Sequence, residues 1–250
     1  MSNTKAIAFF GASGGCGLSA LKHALAEGHT CIALCRSPSK LTDQFPADKY
    51  PNLSVIEGNA HDVAAVSKCI VQPSDPLKIV DHILSSIGGV FQPSKLTIDD
   101  PHVCERGMEA LLQALANVRA NGATGRPHIS ALSTTGISKA GRDLPLAMDL
   151  FYRMVISVPH KDKRAMEDLV VSSREDFTIV RPSLLVADKE HEDWDIRVGI
   201  EDLMGGKNIV ERKEWGYTIS RADVGKWIYQ NLIKEDEGRQ YVGKATSLTW

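Results

Sequence analysis

A glycine-rich turn near the start of the chain constrains the fold more than any other feature of the sequence. The apolar run Ala6 to Phe10 predicts a β-strand, and Gly11, Gly14 and Gly17 separate it from a predicted helix with leucines on one face. Gly11 lets the chain turn off the strand, Gly14 lets backbone approach a pyrophosphate, and Gly17 lets the helix pack on the sheet. The helix N-terminus then offers free N–H groups to phosphates. The alternative to a phosphate site is an ordinary βα turn. The pattern predicts a dinucleotide site formed by Gly11, Ser13, Gly14, Gly15, Cys16 and Gly17.

The end of the second predicted strand, Thr30 to Leu34, indicates which dinucleotide is bound. In NAD-binding folds an acid about 20 residues beyond the glycines binds the ribose 2′-hydroxyl. This chain has Arg36 there, with Lys40 close behind and no acid. A carboxylate would repel a 2′-phosphate, whereas a guanidinium can bind one with two hydrogen bonds. Arg36 and Lys40 therefore favour NADP(H) over NAD, the alternative being solvated loop charges.

Two further strand ends supply residues that we expect beside the same cofactor. The third predicted strand, Leu53 to Ile56, is followed by Asn59 and Ala60, which we expect near the adenine ring. The fourth predicted strand, Ile79 to Leu84, ends in small residues whose backbone we expect to pass close to the ribose, although a flexible loop also fits. These small residues are Ser85, Ser86 and Gly88.

The rest of the chain continues the alternation of strand and helix patterns. The predicted helices span residues 103–121, 142–158, 159–173 and 223–233, and the predicted strands span 128–132, 177–180 and 239–242. Residues 187–215 are charged and irregular, which predicts a variable lobe on the substrate side. The alternation predicts an α/β protein with a doubly wound parallel sheet and ligands outside the carboxyl ends of its strands. We expect a single domain over residues 1–250, with the lobe as a small C-terminal addition.

Composition narrows the classes of function. The 250 residues have a net charge of −2 and no basic stripe, which argues against a nucleic-acid partner. No apolar run approaches the ~18 residues of a membrane helix, and the start does not resemble a signal peptide. The five cysteines form no Cys-x-x-Cys pair or Cys/His cluster, so we expect no metal and a reducing, cytoplasmic setting. Cys16 either fills the tight turn or is a reactive thiol at a helix N-terminus.

Several short motifs occur in order along nearly the whole chain. They are the Gly11 to Gly17 turn, Arg36, Ser133, Lys163 with Glu167, the Thr178 to Pro182 run, and Ser220 to Asp223. This ordered set resembles the atypical short-chain dehydrogenases/reductases, of the NmrA-like or biliverdin-reductase-B-like kind. The resemblance implies a Rossmann fold and an NADP cofactor.

The resemblance also implies an active site from which this chain departs. In the family a Tyr precedes the Lys by four residues, the Lys lowers the phenol pKa and binds the nicotinamide ribose, and a Ser orients the substrate carbonyl. Lys163 matches the Lys, and Ser133 matches the Ser. The Tyr position holds Pro159, which has no acidic proton. Members without the Tyr include flavin and quinone reductases and redox sensors.

We therefore expect an NADPH-dependent oxidoreductase for a small planar aromatic, quinone-like or flavin-like molecule, working as a monomer or homodimer. A non-catalytic NADP sensor and a redox-neutral isomerase, dehydratase or cyclase remain alternatives, because one fold hosts them all. The proton could come from His160, which titrates near neutrality, from Tyr152 if the chain bends before Pro159, or from solvent. The candidate catalytic residues are Ser133, Thr134, Tyr152, His160 and Lys163.

Overall fold

A nine-stranded sheet forms the centre of the protein, with helices on both of its faces. The computed structural model describes residues 4–89, 91–92, 97–145, 157–187, 189–192, 195–204, 208–234 and 236–250. The strands of this sheet are β1 (Ala6–Phe10), β2 (Thr30–Cys35), β3 (Leu53–Glu57), β6 (His82–Ser85), β9 (His128–Leu132), β10 (Asp176–Pro182), β12 (Arg197–Asp202), β13 (Ile209–Arg212) and β15 (Lys244–Thr249).

Short strand pairs lie outside this sheet, and six α-helices connect or cover the strands within the described residues. The short strands are β4 (Val71–Gln72), β5 (Asp75–Ile79), β7 (Phe91–Gln92), β8 (Thr97–Ile98), β11 (Leu184–Val186) and β14 (Thr218–Ser220). The helices are α1 (Gly15–Ala26), α2 (Ser39–Thr42), α3 (Val63–Cys69), α4 (Val103–Ala120), α5 (Ser157–Ser172) and α6 (Arg221–Ile228). A π-helical turn (Tyr229–Lys234) extends α6, and a 3-10 helix (Asp236–Tyr241) precedes β15.

The strand order confirms the predicted doubly wound sheet. From one edge it runs β13-β12-β15-β10-β9-β6-β1-β2-β3, and the seven strands from β15 to β3 are parallel. The order reverses between β1 and β6, and ligands in such sheets bind outside the carboxyl ends of the strands at this point. Within the described residues, no helix combines the length and apolarity needed to cross a bilayer.

Side-chain alternation along the strands builds a core on each face of the sheet. In β1, Ala8 and Phe10 pack with α3, α4 and α5, whereas Ile7 and Phe9 pack with α1 and α6. Because both faces are covered, all five residues of β1 are buried and the strand is apolar throughout.

The amino-terminal ends of the central strands carry buried and half-buried polar side chains that bond to one another. His82 Nε2 lies 3.0 Å from Ser130 Oγ, His128 Nε2 lies 3.0 Å from Thr178 Oγ1, and the two imidazole rings stack at 5.1 Å. Burial lowers the pKa of His128 to about 4 and that of His82 well below its usual range. These histidines are therefore neutral parts of the fold at neutral pH.

Four predicted elements differ from the structure. The predicted strand at 239–242 is wrong: the chain there finishes a 3-10 helix, and the strand is β15, whose polar Thr246 and Ser247 hide it from an apolar pattern. Residues 187–215 are less irregular than expected, since β12 and β13 extend the sheet in antiparallel pairing. The predicted strand at 79–84 is two elements, with β5 ending at Ile79. The predicted helix at 142–158 is wrong at its start, since residues 142–145 are not helical, and 146–156 lie outside the described residues.

Candidate functional site

A cavity of about 650 Å³ opens at the carboxyl ends of β1, β2, β3 and β6, where the strand order reverses. This volume falls in the range of small-molecule and cofactor sites. The cavity wall includes many of the residues predicted for a cofactor, namely Gly11, Ser13, Gly14, Arg36, Lys40, Asn59, Ala60, Ser86 and Gly88.

The glycines of the turn have different structural roles. Gly11 has φ +88°, and a Cβ there would lie 2.7 Å from the carbonyl oxygen of Ser86. A Cβ at Gly17 would lie 2.2 Å from Ser86 Oγ and 2.7 Å from the carbonyl oxygen of Gly11. These two glycines therefore allow β1, α1 and the loop after β6 to pack closely. A Cβ at Gly14 would meet no other atom within 4 Å, so this glycine borders open cavity.

The N-terminus of α1 supplies unsatisfied donors beside this open position. Gly14 is the N-cap residue, no side chain caps the helix, and its first turn contains no acid. The first N–H groups of a helix lack partners within the helix, and the helix dipole favours an anion beside them. The helix is 12 residues long, and its N-terminus, capped only by a glycine, lies at the cavity wall. This arrangement suits a pyrophosphate.

The wall at the end of β2 is basic. Arg36, Ser37 and Lys40 line the cavity, and both cations are exposed. Within the described part of the chain, Arg36 makes no ion pair or hydrogen bond. The donor set of a guanidinium, a hydroxyl and an ammonium suits a phosphate monoester.

Lys163 joins two loops next to this cavity. Its Nζ donates to the carbonyl oxygen of Ile87 at 2.8 Å and to that of Leu132 at 2.6 Å. Ile87 follows β6 and lines the cavity, and Leu132 ends β9. An ammonium has three protons, so one donor remains beyond the two backbone bonds, and it faces the Cys104 thiol.

The neighbouring Asp162 fixes the helix that carries Lys163. It is 2% exposed, and its carboxylate accepts from the N–H groups of Cys104, at 3.0 Å to Oδ2, and Glu105, at 2.9 Å. It thus caps α4, whose own N-cap residue His102 makes no side-chain cap bond. Sequence reasoning missed this residue, because the capping partner is 57 residues away and leaves no local pattern.

Ser133 belongs to a buried charged cluster made of Ser133, Glu167, Arg181 and Glu201. Ser133 Oγ donates to Glu167 Oε1 at 2.5 Å, and Arg181 donates to both oxygens of Glu167, at 3.0 and 2.7 Å. Arg181 Nη1 also donates to Glu201 Oε2 at 2.6 Å. Burial lowers the pKa of Arg181, but the charge and hydrogen bonds of Glu167 and the charges of Glu201 and Asp143 outweigh it, so the net pKa is raised. The cluster is fixed as charged pairs, and sequence reasoning did not identify Glu201 as a member.

The other predicted catalytic residues differ in their positions. Thr134 is half-buried, and its Oγ1 donates to the Thr135 carbonyl oxygen at 3.2 Å. Burial, together with the charge of Arg164, lowers the pKa of His160 to about 4. His160 is therefore neutral near pH 7, which weakens its predicted role as the general acid. Tyr152 lies outside the described residues.

Several predicted cofactor residues are absent from the described cavity wall. Cys16 and Gly17 are buried in the packing of α1, and Ser85 is buried within β6. Burial raises the pKa of the Cys16 thiol to about 12, so this cysteine fills the turn and is not activated as a nucleophile. Gly15, with φ +57°, packs near the side chain of Arg221 instead. His61, Ile87, Asp99 and Val103 line the cavity but were not predicted, because nothing in their local sequence marks them.

Comparison with known proteins decides the family. A family model described as NAD(P)H-binding matches residues 11–235. The chain belongs to this NAD(P)H-binding family. The prediction of an NAD(P)-binding Rossmann protein is confirmed by this match.

Full-length relatives and a solved structure agree with this family. The chain is 38% identical to a protein named reductase pytE from Aspergillus terreus, over the full length of both. It is 34% identical to one named oxidase pynE from Aspergillus niger, over 98% of each chain. A short-chain dehydrogenase/reductase from Veillonella parvula, solved in complex with NADP, shares the fold with a TM-score of 0.70 and 16% identity, over 99% of this chain and 95% of that one.

Proposed function

We propose that the protein uses NADP(H) to transfer hydride to or from a small planar aromatic, quinone-like or flavin-like molecule. The observation that carries the choice of cofactor is Arg36. It stands on the cavity wall at the end of β2, exposed and without a bond to any described residue. A 2′-phosphate would supply the missing partner, and Lys40 and Ser37 stand on the same wall.

The residues around the cavity fit the rest of a dinucleotide. Gly11, Ser13 and Gly14 with the bare start of α1 would hold the pyrophosphate, and Asn59 and Ala60 would border the adenine ring. Ser86 and Gly88 would pass close to the ribose, and the remaining donor of Lys163 would bind its hydroxyl. When bound, NADPH supplies hydride from its reduced nicotinamide ring.

The side chains available as proton donors support a conjugated substrate. Pro159 replaces the usual phenol, and His160 is neutral near pH 7. A ketone reduced to an alcohol needs a positioned acid, because its alkoxide is strongly basic. A quinol or reduced flavin anion is stabilised by conjugation and can take its proton from water. The relatives named reductase and oxidase support turnover in either direction over mere cofactor sensing.

Calorimetric titration of the parent protein and of Arg36→Ala with NADPH and NADH tests the choice of cofactor. We expect the parent to bind NADPH at least about tenfold more tightly, since a charge-assisted bidentate contact contributes about 1.5–3 kcal/mol. Arg36→Ala should lose most of that preference and keep its NADH affinity. Arg126→Ala is the matched control, because Arg126 is exposed and pairs with Asp176 at the start of β10. Equal affinities for both cofactors in the parent would contradict the proposal.

NADPH oxidation followed against a panel of quinones, flavins and aromatic ketones tests the chemistry. Turnover of quinones or flavins, with ketones inert, is the expected result. Cofactor binding with no turnover on the whole panel would favour a sensor. Substrate conversion at constant NADPH would favour a redox-neutral enzyme.

A further inference from the structure

Ser133 directly follows β9, next to the loops that surround the cavity. The register of β6 and β9 pairs Ser85 with Ala131, so two residues further along, Ser133 is level with Ile87. Lys163 confirms that the two loops adjoin, because it bonds the carbonyl oxygens of both Ile87 and Leu132. Ile87 lines the cavity. Ser133 is therefore beside the cavity wall, although only 4% of its surface is exposed.

The hydroxyl proton of Ser133 is already committed. A serine hydroxyl has one proton to donate and two lone pairs that accept. Ser133 Oγ donates that proton to Glu167 Oε1 at 2.5 Å, the short distance typical of a hydroxyl bonded to a carboxylate. An ionised carboxylate has no proton to return, so the bond cannot run in the opposite direction.

Glu167 forms a buried ion pair within the cluster. Arg181 donates to both of its oxygens, and the two side chains are 3% and 7% exposed. Glu201 holds the far side of the same guanidinium. Both oxygens of this carboxylate already accept from Arg181, so Glu167 anchors the Ser133 hydroxyl instead of relaying a substrate proton.

We propose that Ser133 presents only its lone pairs to the active site and therefore binds an N–H or O–H donor, an assignment that rests on the proposed function. This polarity is opposite to the carbonyl-orienting role that the family resemblance implies. Two sources of the donor share this chemistry: the carboxamide N–H of the nicotinamide, and an amino or hydroxyl group on the substrate.

Removing the hydroxyl should leave the cluster intact. In Ser133→Ala, Glu167 Oε1 keeps its bond from Arg181 Nε at 3.0 Å, so the carboxylate remains paired. Ser133→Thr keeps a hydroxyl and is the matched control. A thermal melt of each variant checks that the fold survives.

Cofactor titrations test the first source of the donor. The probes are NADP+ and its 3-acetylpyridine analogue, which replaces the carboxamide by an acetyl group without N–H. If the carboxamide is the donor, the parent and Ser133→Thr should prefer NADP+ about three- to tenfold, and Ser133→Ala should bind both probes equally.

Quinone titrations of the NADP+ complex test the second source. The probes are 2-amino-1,4-naphthoquinone, which carries an N–H donor, and its 2-dimethylamino counterpart, which does not. If the substrate is the donor, Ser133→Ala should weaken the amino compound about three- to tenfold, leave the dimethylamino compound unchanged, and leave cofactor affinity unchanged.

Two results would overturn the assignment alone. One is a Ser133→Ala variant in which all four affinities stay within twofold of the parent. The other is an equal loss for both members of each probe pair, which would mean that Ser133 donates to a carbonyl or acts only through the fold. A parent protein that binds no NADP+ would instead overturn the proposed function, and this assignment with it.

Discussion

Two arginines at the carboxyl ends of parallel strands have opposite environments. Arg181, in β10, is 2% exposed and makes three hydrogen bonds to two carboxylates. Arg36, directly after β2, is exposed on the cavity wall and bonds to no described residue. The first guanidinium is neutralised by the chain itself, and the second is left for a partner from outside.

This contrast separates a structural cation, Arg181, from the cation proposed to bind the cofactor, Arg36. Burying Arg181 is tolerable only because its carboxylate partners are buried with it. Arg36 has no such partner but remains in water, so its charge costs little to maintain. The same residue type at the same kind of strand end therefore serves stability in one region and, in the function proposed above, recognition in the other.

Replacing each arginine by Met should give the largest difference in stability between the two regions. Arg181→Met leaves the carboxylates of Glu167 and Glu201 buried without their cation, so we expect the free energy of unfolding to fall by about 3–5 kcal/mol. Arg36→Met should change it by less than about 0.5 kcal/mol. Urea unfolding of both variants measures this. Similar losses in the two variants would mean that Arg36 is also a structural residue.

Gly14 and Gly17, at the start of α1, give a second comparison, because Gly14 borders the open cavity and Gly17 lies in close packing. Gly14→Val should keep the fold, because a Cβ there meets nothing within 4 Å, and should weaken NADPH binding at least about 100-fold by filling the pyrophosphate space. Gly17→Val should lose stability instead, since its Cβ would overlap Ser86 Oγ and the Gly11 carbonyl. Calorimetry and thermal melts distinguish the two variants. A Gly14→Val protein with parental affinity would show that the loop is only a turn.

The histidines at the amino-terminal ends of the strands should make the free energy of unfolding depend on pH. The effect of each histidine should be smaller than the effects of the substitutions above. The pKa of His128 is about 4 in the fold, against an ordinary value of 6.5, so below about pH 6.5 the unfolded chain binds a proton that the folded chain does not. Stability is then full above pH 6.5 and falls as the pH drops from 6.5 towards 4.

His128→Gln should reduce that slope by about 1 kcal/mol per pH unit, and urea unfolding at pH 7.0, 6.0 and 5.0 measures it. The slope is the readout, because the substitution also changes the bond to Thr178 at every pH. An unchanged slope would show that the pKa of His128 is the same in the folded and the unfolded chain.

The sequence predicts those features that depend on a local pattern of residues. The strand–glycine–helix run predicted β1, the turn and α1, and the order of strands and helices predicted the sheet. The missing acid after β2 pointed to Arg36, which the structure places on the cavity wall.

The features that sequence could not predict depend on pairings across long separations. Glu201 bonds Arg181 from β12, a strand with charged residues at both ends and no apolar run, which forms because β15 pairs with it. Ser133 reads locally as a turn residue, and only the fold shows that its proton goes to Glu167, 34 positions away.

The adjacent residues Asp162 and Lys163 hold together four parts of the cavity surroundings. Asp162 fastens α5 to the start of α4, and Lys163 ties the loop after β6 to the end of β9. This side of the cavity is thus pre-organised before any dinucleotide arrives. Rigid walls lose little conformational entropy on binding, so more of the contact energy made there remains as affinity.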